Sequence, residues 1–179
     1  MAFVDVETTG LSPSLDRIAE IGVITVDGSH VERWTTLVAC ASSTRTATGE
    51  WEDAPRFCDV AADLARVLHG RLVVAHNARF DHAFLTAEFE RAGIWFEPEV
   101  VCSVMLSRKL CSALAHHDLD SLAEAHGLVT GVRHRALPDA DLLWQWWQVI
   151  HRHAPAISST GRSRVCWRGR YCRRGWIRR

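Results

Sequence analysis

The first seven residues alternate. Phe3, Val4 and Val6 are apolar, and Asp5 and Glu7 place carboxylates at i and i+2. This pattern predicts a strand with both acids on one face. Thr8-Thr9-Gly10-Leu11-Ser12-Pro13 ends it as a turn. Ile18 to Val26 is rich in β-branched residues and reads as a second strand. Asp27-Gly28-Ser29-His30 is a hairpin loop, and Val31 to Val38 returns as a third strand.

Residues 40–53 are polar and small and have no clear period. Pro55 then opens a helix, where its missing N–H costs nothing. Phe57, Val60, Ala61, Leu64, Val67 and Leu68 recur at helical spacing, and Gly70 is a candidate C-terminal cap. Leu72-Val73-Val74-Ala75 predicts a short buried strand. His76-Asn77-Ala78 turns into a helix with the stripe Phe80, Phe84, Leu85, Phe89 and Ala92, stopping at Gly93. Val100-Val101-Cys102 is a last short strand. Helices follow at Val104–Leu110, at Leu119–His126 with Asp118 as cap, and from Asp139 to about His151, with Pro138 at its start. Three hairpin-linked strands followed by strands alternating with helices predict a mixed α/β sheet with helices on its faces.

Charge divides the chain. All 21 acidic residues lie in residues 1–151 with 12 of the 21 bases, and the other nine bases, all Arg, lie in residues 152–179. An acidic body is joined to a basic tail. A body of this length favours one domain with one sizeable core. At 47% hydrophobic and 23% charged residues it is no disordered chain. No apolar run approaches the ~18 residues of a membrane span, and the start lacks the basic and apolar stretches of a signal peptide. A cytoplasmic, reducing setting without membrane association is expected. None of the six cysteines forms a C-x-x-C pair, which argues against structural zinc. Cys40, Cys58, Cys102 and Cys111 read as small buried hydrophobes.

Asp5 and Glu7 repel each other unless neutralised, and Mg²⁺ or Mn²⁺ prefers carboxylate oxygen. A solvated strand edge is the competing reading. The tight turn beyond the strand favours a site, because it gives a ligand close access to the backbone. Asp81 lies early in a helix, where capping would also account for it. His76 and Asn77 follow a buried strand at its carboxyl end, the usual place of a ligand crevice in α/β sheets. His134 and Asp139, five residues apart across a helix start, are able to converge on one site.

Phe-Val-Asp-Val-Glu-Thr-Thr-Gly-Leu (3–11), His-Asn-Ala-Arg-Phe-Asp (76–81) and His-Arg-Ala-Leu-Pro-Asp-Ala (134–140) resemble the three motifs of the DEDD exonuclease superfamily in its histidine variant. The likeness is to the DnaQ-like relatives of the proofreading epsilon subunit of bacterial DNA polymerase III. Asp16-Arg17-Ile18-Ala19-Glu20-Ile21-Gly22 and Asp118 to Ala123 also resemble that family. The likeness spans roughly residues 2–151. It implies an RNase H-like fold, a mixed five-stranded sheet flanked by helices, and an exonuclease domain at 1–151. It implies 3′-to-5′ hydrolysis at single-stranded or frayed DNA ends. Asp5, Glu7, Asp81 and Asp139 would hold two divalent ions, Mg²⁺ or Mn²⁺, and His134 would be the general base. Thr8, Thr9, Gly10 and Leu11 would line the terminal nucleotide, with His76, Asn77 and Phe80 opposite. A DNA polymerase subunit is a possible partner by the same likeness. RNA 3′-end trimming and a non-catalytic nucleic-acid-binding module are the alternatives.

Two stretches depart from the pattern. Family members carry a segment of the type H-G-I-T-x-x-x-V after the third strand, and residues 42–51 do not match it. The tail (152–179) interleaves arginine with Trp167, Tyr171 and Trp176. It reads as a disordered extension, as a nucleic-acid arm, or as the product of a shifted reading frame. On the last helix, Trp144, Trp146 and Trp147 fall with Leu142, Leu143 and Ile150, which favours core packing over base stacking.

Overall fold

The structure, a computed structural model, describes residues 1–40 and 54–153 together with the strand 166–168. β1 (Ala2–Thr8), β2 (Ile18–Asp27) and β3 (His30–Leu37) form an antiparallel meander. The β2–β3 hairpin turns on Gly28 and Ser29, with Gly28 at φ 63°. α1 (Phe57–Leu68) crosses to β4 (Val73–Ala75), which pairs parallel to β1. α2 (Arg79–Arg91) crosses to β5 (Glu99–Cys102), parallel to β4. α3 (Ser103–Leu110), α4 (Leu119–His126) and α5 (Ala136–His153) follow. The five expected strands are present in the order β3-β2-β1-β4-β5, and the fold is RNase H-like with helices on both faces. A short sixth strand, β6 (Cys166–Arg168), adds antiparallel to β5. The other expectations for residues 41–53 and for the tail lie outside the described residues.

Alternation along β1 distributes the chemistry. Ala2, Val4 and Val6 point into the core under α1 and α2, with Val23, Leu64, Phe84 and Phe89. Phe3 points the other way, into a second core with Leu122, Leu142, Leu143 and Trp146. Asp5 and Glu7 share the Phe3 face. The apolar half of that face lies under α5, where Trp147 meets Phe3 edge-on with ring centroids 5.8 Å apart. Each large side chain buried this way contributes roughly 1.5–3 kcal/mol. Further along β1 the cover changes to the first turn of α5, which carries Asp139.

Gly22 makes that approach possible. It pairs with Asp5 across β1 and β2, and a Cβ there would lie 2.3 Å from backbone atoms of Ala136. The start of α5 therefore rests directly on β2. α5 begins at Ala136, three residues before the expected start, which places Pro138 within its first turn, where its missing N–H breaks no helical bond. Trp146 is fully buried, while Trp144 and Trp147 are partly buried. Of the four cysteines read as buried, Cys102 is, Cys58 is exposed, and Cys40 and Cys111 are intermediate, so that reading fails for Cys58. Cys58 lies on the outer side of α1, whose inner stripe is Phe57, Ala61, Leu64 and Leu68.

Candidate active site

Asp5 and Glu7 leave β1 on one side, and Asp139 descends from the first turn of α5. One ligand oxygen from each of the three lies within 4.8 Å of the others. Asp81 approaches from the neighbouring helix. β4 ends at Ala75, opposite Val4, so the N–H of Val6 has no strand partner there. Asp81 Oδ1 accepts it at 3.3 Å. Asp81 can reach back because Asn77 takes a left-handed conformation (φ 58°) between β4 and α2, which Asn tolerates better than most residues. Asp81 and Asp139 are nearly inaccessible, 3% and 6% exposed.

Packing these acids together works against their ionisation. Burial raises the pKa of Asp5 well above the carboxylate range, and the charges of Asp81 and Glu7 raise it further. Asp81 is pushed up to about 7, chiefly by burial and against its two backbone hydrogen bonds. Glu7 is raised by burial and then by Glu20, which lies directly opposite on β2. A hard cation would remove this conflict: the donor set is all carboxylate oxygen, converging and short of positive charge. The residues present therefore fit divalent ions.

His134 stands on the loop between α4 and α5 with a left-handed backbone (φ 60°) and an exposed side chain. Its charge, when present, favours the ionised form of Glu7. The turn after β1 is closed by its own side chains. Thr8 Oγ1 donates to the carbonyl of Gly10 (2.6 Å), Thr9 Oγ1 accepts the N–H of Arg17 (3.0 Å), and Asp16 accepts the N–H of Ser12 (2.9 Å). A Cβ on Gly10 would collide with the Asp16 carboxylate at 2.4 Å. Closing the turn leaves Leu11 projecting, 85% exposed. Across the site, His76 Nδ1 shares a hydrogen bond with Ser103 Oγ (2.8 Å). Burial lowers its pKa to about 4, so the ring is neutral near pH 7. Phe80 leans on Phe84 with centroids 4.8 Å apart, and Asn77 is exposed at the turn.

The structure thus gathers Asp5, Glu7 and Asp139 into one cluster, with Asp81 buried against β1 through the N–H of Val6 and His134 exposed on the loop before α5. Several contributors were not singled out from the sequence. Glu20 is buried and held by Arg135 Nε at 2.8 Å. Arg133 contacts Asp139 and donates to Asp120. Gly22 lets α5 in. Glu20 and Gly22 lie within the 16–22 stretch that resembles the family, a signal for both, whereas Arg133 carries none.

Residues 2–145 match the family described as exonuclease. The DNA polymerase III subunit epsilon of Treponema pallidum is 32% identical over 161 residues, covering 83% of this chain and 75% of that protein. The PolC-type DNA polymerase III of Caldanaerobacter subterraneus subsp. tengcongensis is 34% identical over 145 residues, 76% of this chain but only 10% of that polymerase. Among solved structures, the zinc-bound E. coli exonuclease I complex with single-stranded DNA superposes with a TM-score of 0.75 at 19% identity, over 88% of this chain and 41% of that one. That likeness concerns the fold. With the family match spanning most of the chain and the carboxylate cluster in place, the chain belongs to the DnaQ-like family of 3′-5′ exonucleases.

Proposed function

We propose that this chain is a metal-dependent exonuclease that removes nucleotides from the 3′ ends of single-stranded or frayed DNA, in proofreading or repair, within the cytoplasm. The convergence of Asp5, Glu7 and Asp139 within 4.8 Å carries this reading. Those three acids and Asp81 would hold two divalent ions, Mg²⁺ or Mn²⁺. When bound, such ions supply an activated water, an in-line geometry and stabilisation of the leaving 3′ oxygen. The chain's own groups do the rest. His134, exposed on the loop before α5, accepts the proton of the attacking water, work worth roughly 10²–10⁴-fold. The Thr8–Thr9 turn is braced by its own hydroxyls, so the Gly10 backbone and Leu11 meet the terminal nucleotide as a preformed edge. Asn77, Phe80 and the neutral ring of His76 form the opposite wall, with His76 contributing shape rather than charge. DNA is favoured over RNA because the relatives are DNA polymerase subunits, and by the same likeness a polymerase subunit is the proposed partner.

A 5′-labelled single strand tests this. With Mg²⁺ or Mn²⁺ the protein should produce a ladder of 3′-shortened products, faster on DNA than on RNA of matched sequence, and EDTA should stop it. Intact strands of both kinds would refute the enzyme reading, and a faster RNA ladder would turn it to RNA trimming.

A further inference from the structure

Arg133 has an arrangement the catalytic reading leaves unexplained. Its guanidinium lies between two acids. Nη1 contacts Asp139 Oδ1, on the carboxylate cluster, while Nε donates to Asp120 Oδ1 on α4. The Asp139 side chain is buried, and that of Asp120 is 64% exposed. A planar guanidinium with several fixed donors serves two carboxylates at once in a way an ammonium does not. The segment around it is held at both ends. The Gln145 side-chain amide receives the N–H of Val129 and donates to its carbonyl, both at 3.0 Å. Arg135 is tied to Glu20 at 2.8 Å. Arg133 and His134 lie between these two anchors.

We propose that Arg133 is the resident counter-ion of the carboxylate site: it occupies Asp139 while no cation is bound, and withdraws onto Asp120 when one binds. The inference rests on the reading of that site as a cation site. A guanidinium on Asp139 covers an oxygen that a divalent ion would need, and its charge repels the ion. Vacating Asp139 leaves Arg133 a partner already in contact, so the exchange needs only a side-chain shift between fixed anchors. Because His134 is the next residue, the exchange also links cation binding to the placement of the proposed base. Arg133 is thus a positioning residue that sets how tightly the site holds its ions.

The test measures Mn²⁺ binding alone, by calorimetry or by the electron paramagnetic resonance of free Mn²⁺, together with thermal unfolding in EDTA. Arg133→Gln should bind Mn²⁺ about tenfold more tightly, because one positive charge that repels the ion and competes for Asp139 is removed. Its melting temperature in EDTA should fall, because the acids lose their cation, and should return to the wild-type value at saturating Mn²⁺. Asp120→Asn, an exposed change that leaves the fold alone, should weaken Mn²⁺ binding severalfold, because Arg133 loses its second partner. Mn²⁺ binding to Arg133→Gln no tighter than to wild type, or unchanged binding in Asp120→Asn, overturns the exchange while leaving the cation site intact. Absence of Mn²⁺ binding to wild type and both variants overturns the cation site and the exchange together.

Discussion

Among the described residues, two buried acidic centres are built oppositely. Glu88, on α2, is 1% exposed. Arg17 meets it with two bonds, Nε at 2.5 Å and Nη2 at 2.8 Å, and Arg91 adds a third at 3.2 Å. Its charge is matched by its own chain. The cluster of Asp5, Glu7, Asp81 and Asp139 has more carboxylates than cations, with Arg133 and Arg135 as its nearby guanidinium groups. The first centre fastens the 10–17 turn to α2 and needs nothing from outside. The second has raised pKa values at Asp5, Glu7 and Asp81 and would relieve its repulsion by taking up positive charge. Burial is common to both; what separates a structural ion pair from a site is whether the chain supplies counter-charge enough to match its acids.

The strongest way to break this contrast is Asp5→Ala. Metal-dependent cleavage should be lost by more than the ~10²–10⁴-fold a general base contributes, while the melting temperature in EDTA rises, because one of the repelling acids is gone. Single-turnover cleavage and calorimetry measure the two; a fall in both would make Asp5 structural, like Glu88. Next is His134→Ala, expected to lose roughly 10²–10⁴-fold in rate at neutral pH with Mn²⁺ affinity and melting temperature close to wild type. Undiminished turnover would remove His134 as the base.

Glu88→Gln probes the matched centre. Breaking a buried pair costs roughly 3–5 kcal/mol, and about 3 kcal/mol is expected because Arg17 is partly exposed and regains water. Denaturant unfolding measures this, with Mn²⁺ affinity unchanged. A further test concerns pH. Asp81 has its pKa raised to about 7 when folded, against about 3.8 in the unfolded chain. Between those values the folded state holds a proton the unfolded state has released, so the contribution of Asp81 to stability falls as pH rises. Metal-free Asp81→Asn should match wild type near pH 4 and gain on it toward pH 7, by no more than ~1.4 kcal/mol per pH unit. The comparison between the two proteins is needed because His76, with its pKa lowered to about 4, acts in the opposite sense between pH 4 and 6.5. A constant difference across that range would sever Asp81 from the shared repulsion.

Much of this was legible along the chain because it is local. Alternation in β1 placed Asp5 and Glu7 on one face. Glycines with positive φ at 28, 93 and 127 lie at a hairpin turn and at helix ends. Asp118 accepts the N–H of Ser121 as a cap should. α5 starts three residues before the expected Asp139, because Pro138 lies within its first turn and not at its boundary. Residues 40–53 had no period to read.

The sequence by itself determined the order of elements, the face each strand presents, and through three motifs the identities of Asp5, Glu7, Asp81, His134 and Asp139. The order of elements and the strand faces follow from i, i+2 and i, i+4 spacing, which a chain carries within itself, whereas the five side chains are indicated by the likeness of those motifs to a family. Only the tertiary structure decided their company: Gly22 admitting α5 over Asp5, Glu20 facing Glu7 and held by Arg135, Asp81 meeting the N–H of Val6, and Arg133 shared between Asp139 and Asp120. Those partners lie 13 to 115 residues apart in most cases. Their attraction and repulsion depend on distance and burial in space, quantities that sequence spacing does not contain.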